Sequence, residues 1–182
     1  MAGQMTGGRS FNFWRVAGWG LATALLATPL VAMQFTDEVR WGPLDFAVAA
    51  LLIGGLGGAL EFAVRRSGNA CYRLGAALAA FTAFLLIWVN LAVGFIGEPH
   101  NPANLMFAGV LLVALAGAVA ARFRPRGMML AMAAAAIAQL LIAVAVFVAA
   151  LGRPLELFLT IAFAMPWLLA AGLFQRAAET DA

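Results

Sequence analysis

The chain has 182 residues, of which 65% are hydrophobic and only 10% are charged. About a quarter of the residues in a soluble domain are charged, so this composition excludes an ordinary soluble protein and predicts an integral membrane protein. The net charge of +3 does not predict nucleic-acid binding, because the basic residues lie at the ends of apolar runs rather than in one patch with aromatic residues.

Six apolar segments follow one another along the chain, joined by short connections. A segment of about 20 apolar residues crosses the hydrocarbon core of a bilayer as an α-helix. The pattern predicts an all-α fold, a polytopic membrane helical bundle that forms one integral membrane domain over residues 1–182. Its six transmembrane helices are predicted at about 14–33, 44–64, 74–96, 103–121, 128–151 and 155–174. Pro29 and Pro166 are predicted to kink the first and the sixth helix.

The arginines predict how these helices are oriented. With six spans, nine of the eleven arginines fall on one side, namely Arg9, Arg15, Arg65, Arg66, Arg73, Arg122, Arg124, Arg126 and Arg176. The other side has only Arg40 and Arg153. Because basic residues are enriched in cytoplasmic loops, both termini are predicted to be cytoplasmic.

The three helices that enter from the outer side share a pattern at their start. Each has a proline, an apolar residue and then a carboxylate or an amide: Pro43-Leu44-Asp45, Pro102-Ala103-Asn104 and Pro154-Leu155-Glu156. Proline suits the first helical position, since its missing N–H would be unpaired there in any case. The polar residue can accept from free N–H groups of the first turn, and Asn101 is a favourable N-cap before Pro102.

A polar side chain inside an apolar run needs a partner or a purpose, and this applies to Asn90, Gln139 and Glu61. Asn90 either forms a hydrogen bond between helices or faces a ligand. Gln139, near the middle of the fifth helix, pairs with Asn90 or with a backbone carbonyl. Glu61 lies four residues before Arg65, the favourable spacing for a helical ion pair.

Small residues predict where helices approach each other closely. Gly54 and Gly58 form a G-x-x-x-G motif in the second helix. Ala131, Ala135 and Ala138 mark one face of the fifth helix.

The stretch WVNLAVGFIGEPHNPANLMF, residues 88–107, places Asn90 inside an apolar run, then a Gly-Glu-Pro-His-Asn-Pro turn, and then Asn104 at the head of a new apolar run. Because a short connection joins the third and fourth helices, they are predicted to be neighbours. An outward-facing polar depression between them is then predicted, bordered by Trp88, Asn90, Glu98, Asn101 and Asn104. The first turn of the fourth helix favours an anionic or carbonyl group there.

The residues that catalysis and metal binding need are scarce. The chain has one histidine, His100, and one cysteine, Cys71. The predicted topology places them on opposite sides of the membrane, so they cannot form a nucleophile–base pair. One histidine cannot supply the ligands of a zinc or haem site, and no H-E-x-x-H or phosphate-binding glycine loop is present. The sequence therefore predicts no enzyme, no cofactor and no metal.

The runs Trp88-Val89-Asn90-Leu91-Ala92-Val93-Gly94, Ile96-Gly97 and Asn101-Pro102-Ala103-Asn104-Leu105-Met106 resemble a motif of small multi-pass bacterial inner-membrane proteins of uncharacterised function. The turn 35–38 and the loop 122–127 are similar as well, so the resemblance spans most of the chain. It implies location in a bacterial inner membrane and implies no mechanism.

Two hypotheses for function follow from these observations. One is a non-catalytic membrane subunit or binding module whose outer surface or polar site meets a membrane protein partner, a second copy of the chain, a lipid or a small ligand. The other is a small transporter or channel for a small or lipid-like solute. Transporters usually have buried charge near the midplane or broken helices at a binding site, and Glu61 is peripheral. The first hypothesis is therefore preferred.

Overall fold

The computed structural model describes residues 7–180, with side chains from residue 13 onward except that of Trp14. The side chain of Arg9, used above for orientation, lies outside this description. The described residues are helical with short connections and contain no strand. The helices are α1 (Gly7–Ala32), α2 (Pro43–Arg66), α3 (Ala70–Ala92), α4 (Met106–Ala120), α5 (Pro125–Val148), α6 (Pro154–Ala162) and α7 (Ala164–Thr180), with a 3₁₀ turn at Pro102–Leu105 before α4.

In the part of the chain that the structure describes, six helical segments are long and apolar enough to cross a membrane, as the sequence predicts. They are Arg15–Ala32, Pro43–Arg66, Ala70–Ala92, Pro102–Ala120, Pro125–Val148 and Pro154–Thr180. The sixth is interrupted at Phe163, between α6 and α7. Pro166, the third residue of α7, has no N–H to donate to the carbonyl of Ala162, which explains a break here. Pro29, by contrast, lies within a continuous α1.

The predicted helix starts at proline are confirmed. The carboxylates that follow them accept hydrogen bonds from a different N–H group than the one predicted. Pro43 and Pro154 are the first residues of α2 and α6, and Pro102 opens the 3₁₀ turn. Asp45 Oδ2 accepts from the backbone N–H of Gly42 at 2.8 Å, and Glu156 Oε2 accepts from that of Arg153 at 3.0 Å. These carboxylates therefore bind the residue before the proline, as in the second half of a capping box.

The chain divides into two compact units, residues 1–58 and 59–182, with the division inside α2. In the first unit, Trp19 of α1 lies against Gly57 of α2, where a Cβ would be 3.2 Å from the indole ring. At Gly54 and Gly58, a Cβ would have no neighbouring atom within 4 Å. The close approach in this unit thus occurs at Gly57 and not at the predicted G-x-x-x-G pair.

In the second unit α3 packs along α7, α7 along α5, and α5 along both α4 and α6. Its core contains large side chains that are almost fully buried, including Tyr72, Leu86, Phe107, Trp167 and Phe174. Small residues bring the helices together, as is typical of helix interfaces in membranes. The predicted small face of α5 is confirmed, since Ala131 and Ala135 are buried and Ala138 packs against the core.

Candidate functional site

The connection between α3 and α4, residues 93–105, departs most from the sequence prediction. Helix α3 ends at Ala92 and not near Ile96. Gly94 causes this, because its φ of +76° is left-handed backbone that continues no helix. A Cβ on this residue would also lie 2.8 Å from the carbonyl group of Glu98. Only glycine fits here, and the chain turns back at once.

The residues after Gly94 fold inward. Phe95 is 3% exposed and Ile96 is fully buried. The ring of Phe95 lies 4.7 Å from that of Phe107 in α4 and 4.9 Å from that of Phe163, centroid to centroid. Phe163 is the residue at the interruption between α6 and α7. The connection therefore contributes to the core and packs where the sixth segment is broken.

The Asn104 side chain forms hydrogen bonds with the backbone groups of this inward-folded segment. Its Oδ1 accepts from the N–H groups of Phe95 at 3.0 Å and Ile96 at 2.9 Å. Its Nδ2 donates to the carbonyls of Ile96 at 3.3 Å and Glu98 at 2.9 Å. A side-chain amide offers two donors and two acceptor positions, so all of its capacity is used within the connection.

This arrangement corrects the prediction for Asn104. The sequence pattern predicts that this residue begins a helix or borders a depression. It is instead buried at 8% exposure and joins two parts of the connection. Asn101, in contrast, is confirmed as an N-cap, because its Oδ1 accepts from the N–H of Ala103 at 3.0 Å.

The connection also has an exposed surface, formed by Gly97, Glu98, Pro99 and His100. Gly97 has a φ of +64°, and the N–H of Asn101 donates to the carbonyl of Glu98 at 3.0 Å. We call these four residues the Gly97–His100 tip. The tip is bounded by Asn101 on one side and by buried Ile96 on the other, so its backbone is held from both ends.

Asn90 lies two residues before the end of α3. Its Nδ2 donates to the carbonyl of Leu86 in the same helix at 2.7 Å. Its Oδ1 is buried and has no hydrogen-bond partner among the described residues. The predicted bond between helices is therefore not formed by the amide nitrogen, and Asn90 lies in the last turn of α3 because this helix ends at Ala92.

Trp88 and Asn90 do not share a face of α3. Trp88 is 37% exposed and stacks on Phe84, with centroids 6.0 Å apart. Asn90 follows the buried Leu86 by four residues, so these two lie on one face. The five predicted residues thus separate into Trp88 on the exposed face of α3, Asn90 on its packed face, and Glu98, Asn101 and Asn104 in the connection.

The prediction that α3 and α4 are packed neighbours is wrong. Helix α3 packs along α7, and α4 packs along α5. The reason is that the connection is not a simple turn, because its residues Phe95 and Ile96 are buried in the core. Since α3 and α4 do not pack against each other, they do not form the two sides of the predicted depression.

Gln139 of α5 is fully buried, and its Nε2 donates to the backbone carbonyl of Thr160 in α6 at 3.1 Å. This confirms the backbone-carbonyl alternative. Its Oε1 and the indole Nε1 of Trp167 are buried atoms with no hydrogen-bond partner in the part of the chain that the structure describes. Thr160 and Trp167 lie on either side of the interruption at Phe163.

The ion pair of Glu61 and Arg65 is confirmed near the end of α2. Within residues 7–180 no group of three or more histidine, cysteine or acidic side chains is placed to hold a metal ion.

Sequence reasoning missed the inward fold of residues 93–97. The available signal was Gly94-Phe-Ile-Gly97, two glycines around an apolar pair just before Pro99. Glycines at this spacing favour left-handed backbone and hence an end to α3.

Over residues 7–180 these features define the class of the protein, which is all-helical with six helices long and apolar enough to span a membrane. Neither a protein-family model, nor a curated protein sequence, nor a solved structure matches this chain.

Proposed function

We propose that the chain is a multi-pass protein of a bacterial inner membrane, with both termini in the cytoplasm, and that it acts without catalysis as a membrane subunit or binding module. Its outward-facing surface is the Gly97–His100 tip. The sequence motif at residues 88–106 and the asymmetry of the arginines support the location and the orientation.

The observation that carries this proposal is the Asn104 amide, which forms four hydrogen bonds within the connection. A membrane protein needs no such structure merely to reverse its chain, because short connections suffice. A surface held in one conformation before binding loses little entropy when a partner docks. The exposed Glu98 and His100 side chains, on either side of Pro99, would give that surface its specificity.

The orientation can be tested by labelling in whole cells. Cys71 is the only cysteine, so Cys71→Ala provides a background without reactive thiols. His100→Cys should then react with a membrane-impermeant maleimide from outside, and Ser67→Cys should react only after the membrane is permeabilised. The opposite pattern would reverse the topology, and reaction of both in intact cells would contradict insertion as six spans.

The partner surface can be tested by photo-crosslinking in native cells. A photoreactive amino acid at His100 should give one discrete adduct, identified by mass spectrometry. The matched control is the same amino acid at Arg153, which is also exposed and lies in the connection between α5 and α6. Asn104→Ala should remove the adduct at His100. Equal adduct patterns at the two positions, or no adduct at His100, would refute the tip as a partner surface.

A second candidate function is a small transporter or channel. It is favoured by the interruption of the sixth segment at Phe163 beside two buried polar atoms without partners, Gln139 Oε1 and Trp167 Nε1. Broken helices and unpaired polar groups are common at transport sites. Osmotic shrinkage of proteoliposomes in small neutral solutes distinguishes the candidates. Permeation that Gln139→Leu abolishes without unfolding the protein supports transport, and permeation equal to protein-free vesicles supports the subunit.

A further inference from the structure

Four exposed arginines of the second unit lie close together. They are at the end of this unit that follows the C-terminus of α4, whereas the Gly97–His100 tip precedes the N-terminus of α4. Arg66 is the last residue of α2, Arg122 and Arg124 lie in the turn between α4 and α5, and Arg126 is the second residue of α5. The guanidinium Nη2 of Arg66 is 3.5 Å from the carbonyl oxygen of Arg122. We call these four residues the basic cluster.

Other arginines near this end have internal partners. Arg65 pairs with Glu61. Arg73 donates to the carbonyls of Ser67 at 2.7 Å and Val64 at 3.2 Å, and so satisfies backbone groups near the end of α2. Within residues 7–180 none of the four arginines of the basic cluster forms an ion pair. Their charge is therefore available to an external anion.

The turn that holds the cluster is strained and anchored. Arg122 and Phe123 have φ values of +50° and +56°, which non-glycine residues rarely adopt. Phe123 packs edge-on against Phe62 at 4.8 Å between centroids, and its carbonyl accepts from the Tyr72 hydroxyl at 2.8 Å. Because Phe123 is fixed on both counts, the flanking Arg122 and Arg124 are held outward. Strain that persists under such anchoring is a reason to look for a function.

The position of the cluster selects its occupant. Helix α2 ends at Arg66, α4 ends at Ala120 and α5 begins at Pro125, so the four guanidinium groups lie at the ends of spanning helices, at the depth of lipid headgroups. Phe62, 45% exposed, lies beside the turn and offers apolar contact. A guanidinium group can bind two oxygens of one phosphate through two parallel hydrogen bonds. Basic groups between membrane helices bind anionic lipid headgroups.

We propose that the basic cluster is a binding site for an anionic phospholipid headgroup of the surrounding leaflet. The proposal rests on membrane insertion, which the labelling of His100→Cys and Ser67→Cys tests separately. It does not depend on the Gly97–His100 tip or on its partner.

The test is a lipid titration of the full chain in detergent, followed by native mass spectrometry. The probes are phosphatidylglycerol and, as the zwitterionic reference, phosphatidylcholine. Wild type should bind phosphatidylglycerol more tightly. The triple variant Arg122→Gln, Arg124→Gln, Arg126→Gln should bind it at least about tenfold more weakly, since each arginine near an anionic headgroup contributes roughly fivefold or more. Phosphatidylcholine binding should not change.

Two control variants separate charge from folding. The triple lysine variant at the same positions should keep most of the preference, and Arg176→Gln, an exposed arginine outside the cluster, should keep all of it. Melting temperatures are measured for each variant, and the lysine variant reports on the site should the glutamine variant unfold.

Three outcomes would overturn the proposal. One is equal affinity of wild type for the two lipids. Another is a preference that survives in the folded glutamine variant. The third is full competition by millimolar inorganic phosphate, which would assign the cluster to a soluble anion. In the second case, if the glutamine variant also loses a co-purifying acidic protein, the basic cluster would be assigned to that protein instead.

Discussion

The two turns at opposite ends of α4 solve the same problem in different ways. Both reverse the chain between helices that are long and apolar enough to span a membrane, and both contain left-handed backbone. The connection at 93–105 uses glycines, buries Phe95 and Ile96, and needs the Asn104 amide for their backbone groups. The turn at 121–124 uses Arg122 and Phe123 without glycine, and its half-buried Phe123 packs against the core while Arg122 and Arg124 are exposed. Burying backbone requires internal hydrogen bonds, whereas an exposed turn leaves its arginines for outside partners.

The largest effect is expected from Asn104→Ala. The change leaves the buried N–H groups of Phe95 and Ile96 unpaired, and each such group costs about 1–3 kcal/mol. We expect a loss of about 3 kcal/mol or more in the free energy of unfolding, measured by equilibrium unfolding in mixed micelles. Asn101→Ala, the matched control, removes only an N-cap and should cost about 1 kcal/mol. Equal losses for the two variants would show that the amide network does not hold the connection.

Gly94→Ala is expected to have the next largest effect. The new Cβ would meet the backbone of Glu98 at 2.8 Å in a left-handed conformation, so we expect a loss of more than about 2 kcal/mol. The control is Gly109→Ala in α4, where no atom lies within 4 Å of the Cβ position. That change should stabilise the helix by up to about 1 kcal/mol. If both variants melt at the wild-type temperature, the turn at Gly94 is not fixed as described.

Tyr72→Phe probes the anchor of the other turn. It removes the hydroxyl that donates to the Phe123 carbonyl at 2.8 Å and should cost about 1 kcal/mol. Thr82→Val serves as the control, since the Thr82 hydroxyl bonds only to a carbonyl of its own helix, that of Leu78. The free energy of unfolding should change less for Thr82→Val than for Tyr72→Phe. A larger loss for Thr82→Val would mean that Tyr72 does not anchor the turn.

Arg122→Gly should have the smallest effect, and of the opposite sign to Gly94→Ala. Glycine relieves the positive φ at this position, which is worth about 1–2 kcal/mol, but it adds entropy to the unfolded chain. We expect a net gain of less than about 1 kcal/mol in thermal or denaturant unfolding. A clear loss of stability would indicate that the Arg122 side chain itself, and not only Phe123, holds the turn.

The sequence by itself determined the all-helical class, the six segments that could span a membrane, and the three helix starts marked by Pro43, Pro102 and Pro154. Apolar length and the position of proline are local properties, so they can be read without knowing what packs against what. The same holds for the N-cap at Asn101 and for the ion pair of Glu61 with Arg65, whose partners lie within four residues.

Only the tertiary structure decided which helices are neighbours and what the polar residues do. Apolar runs on all faces contain no signal that α3 packs on α7 rather than on α4. The roles of Asn104, Gln139 and Tyr72 depend on backbone groups 6 to 51 residues away, and no local pattern indicates which distant group will be left unpaired. Partners at that range are set by how the whole helical core fits together, because each buried polar group must be satisfied where packing leaves it.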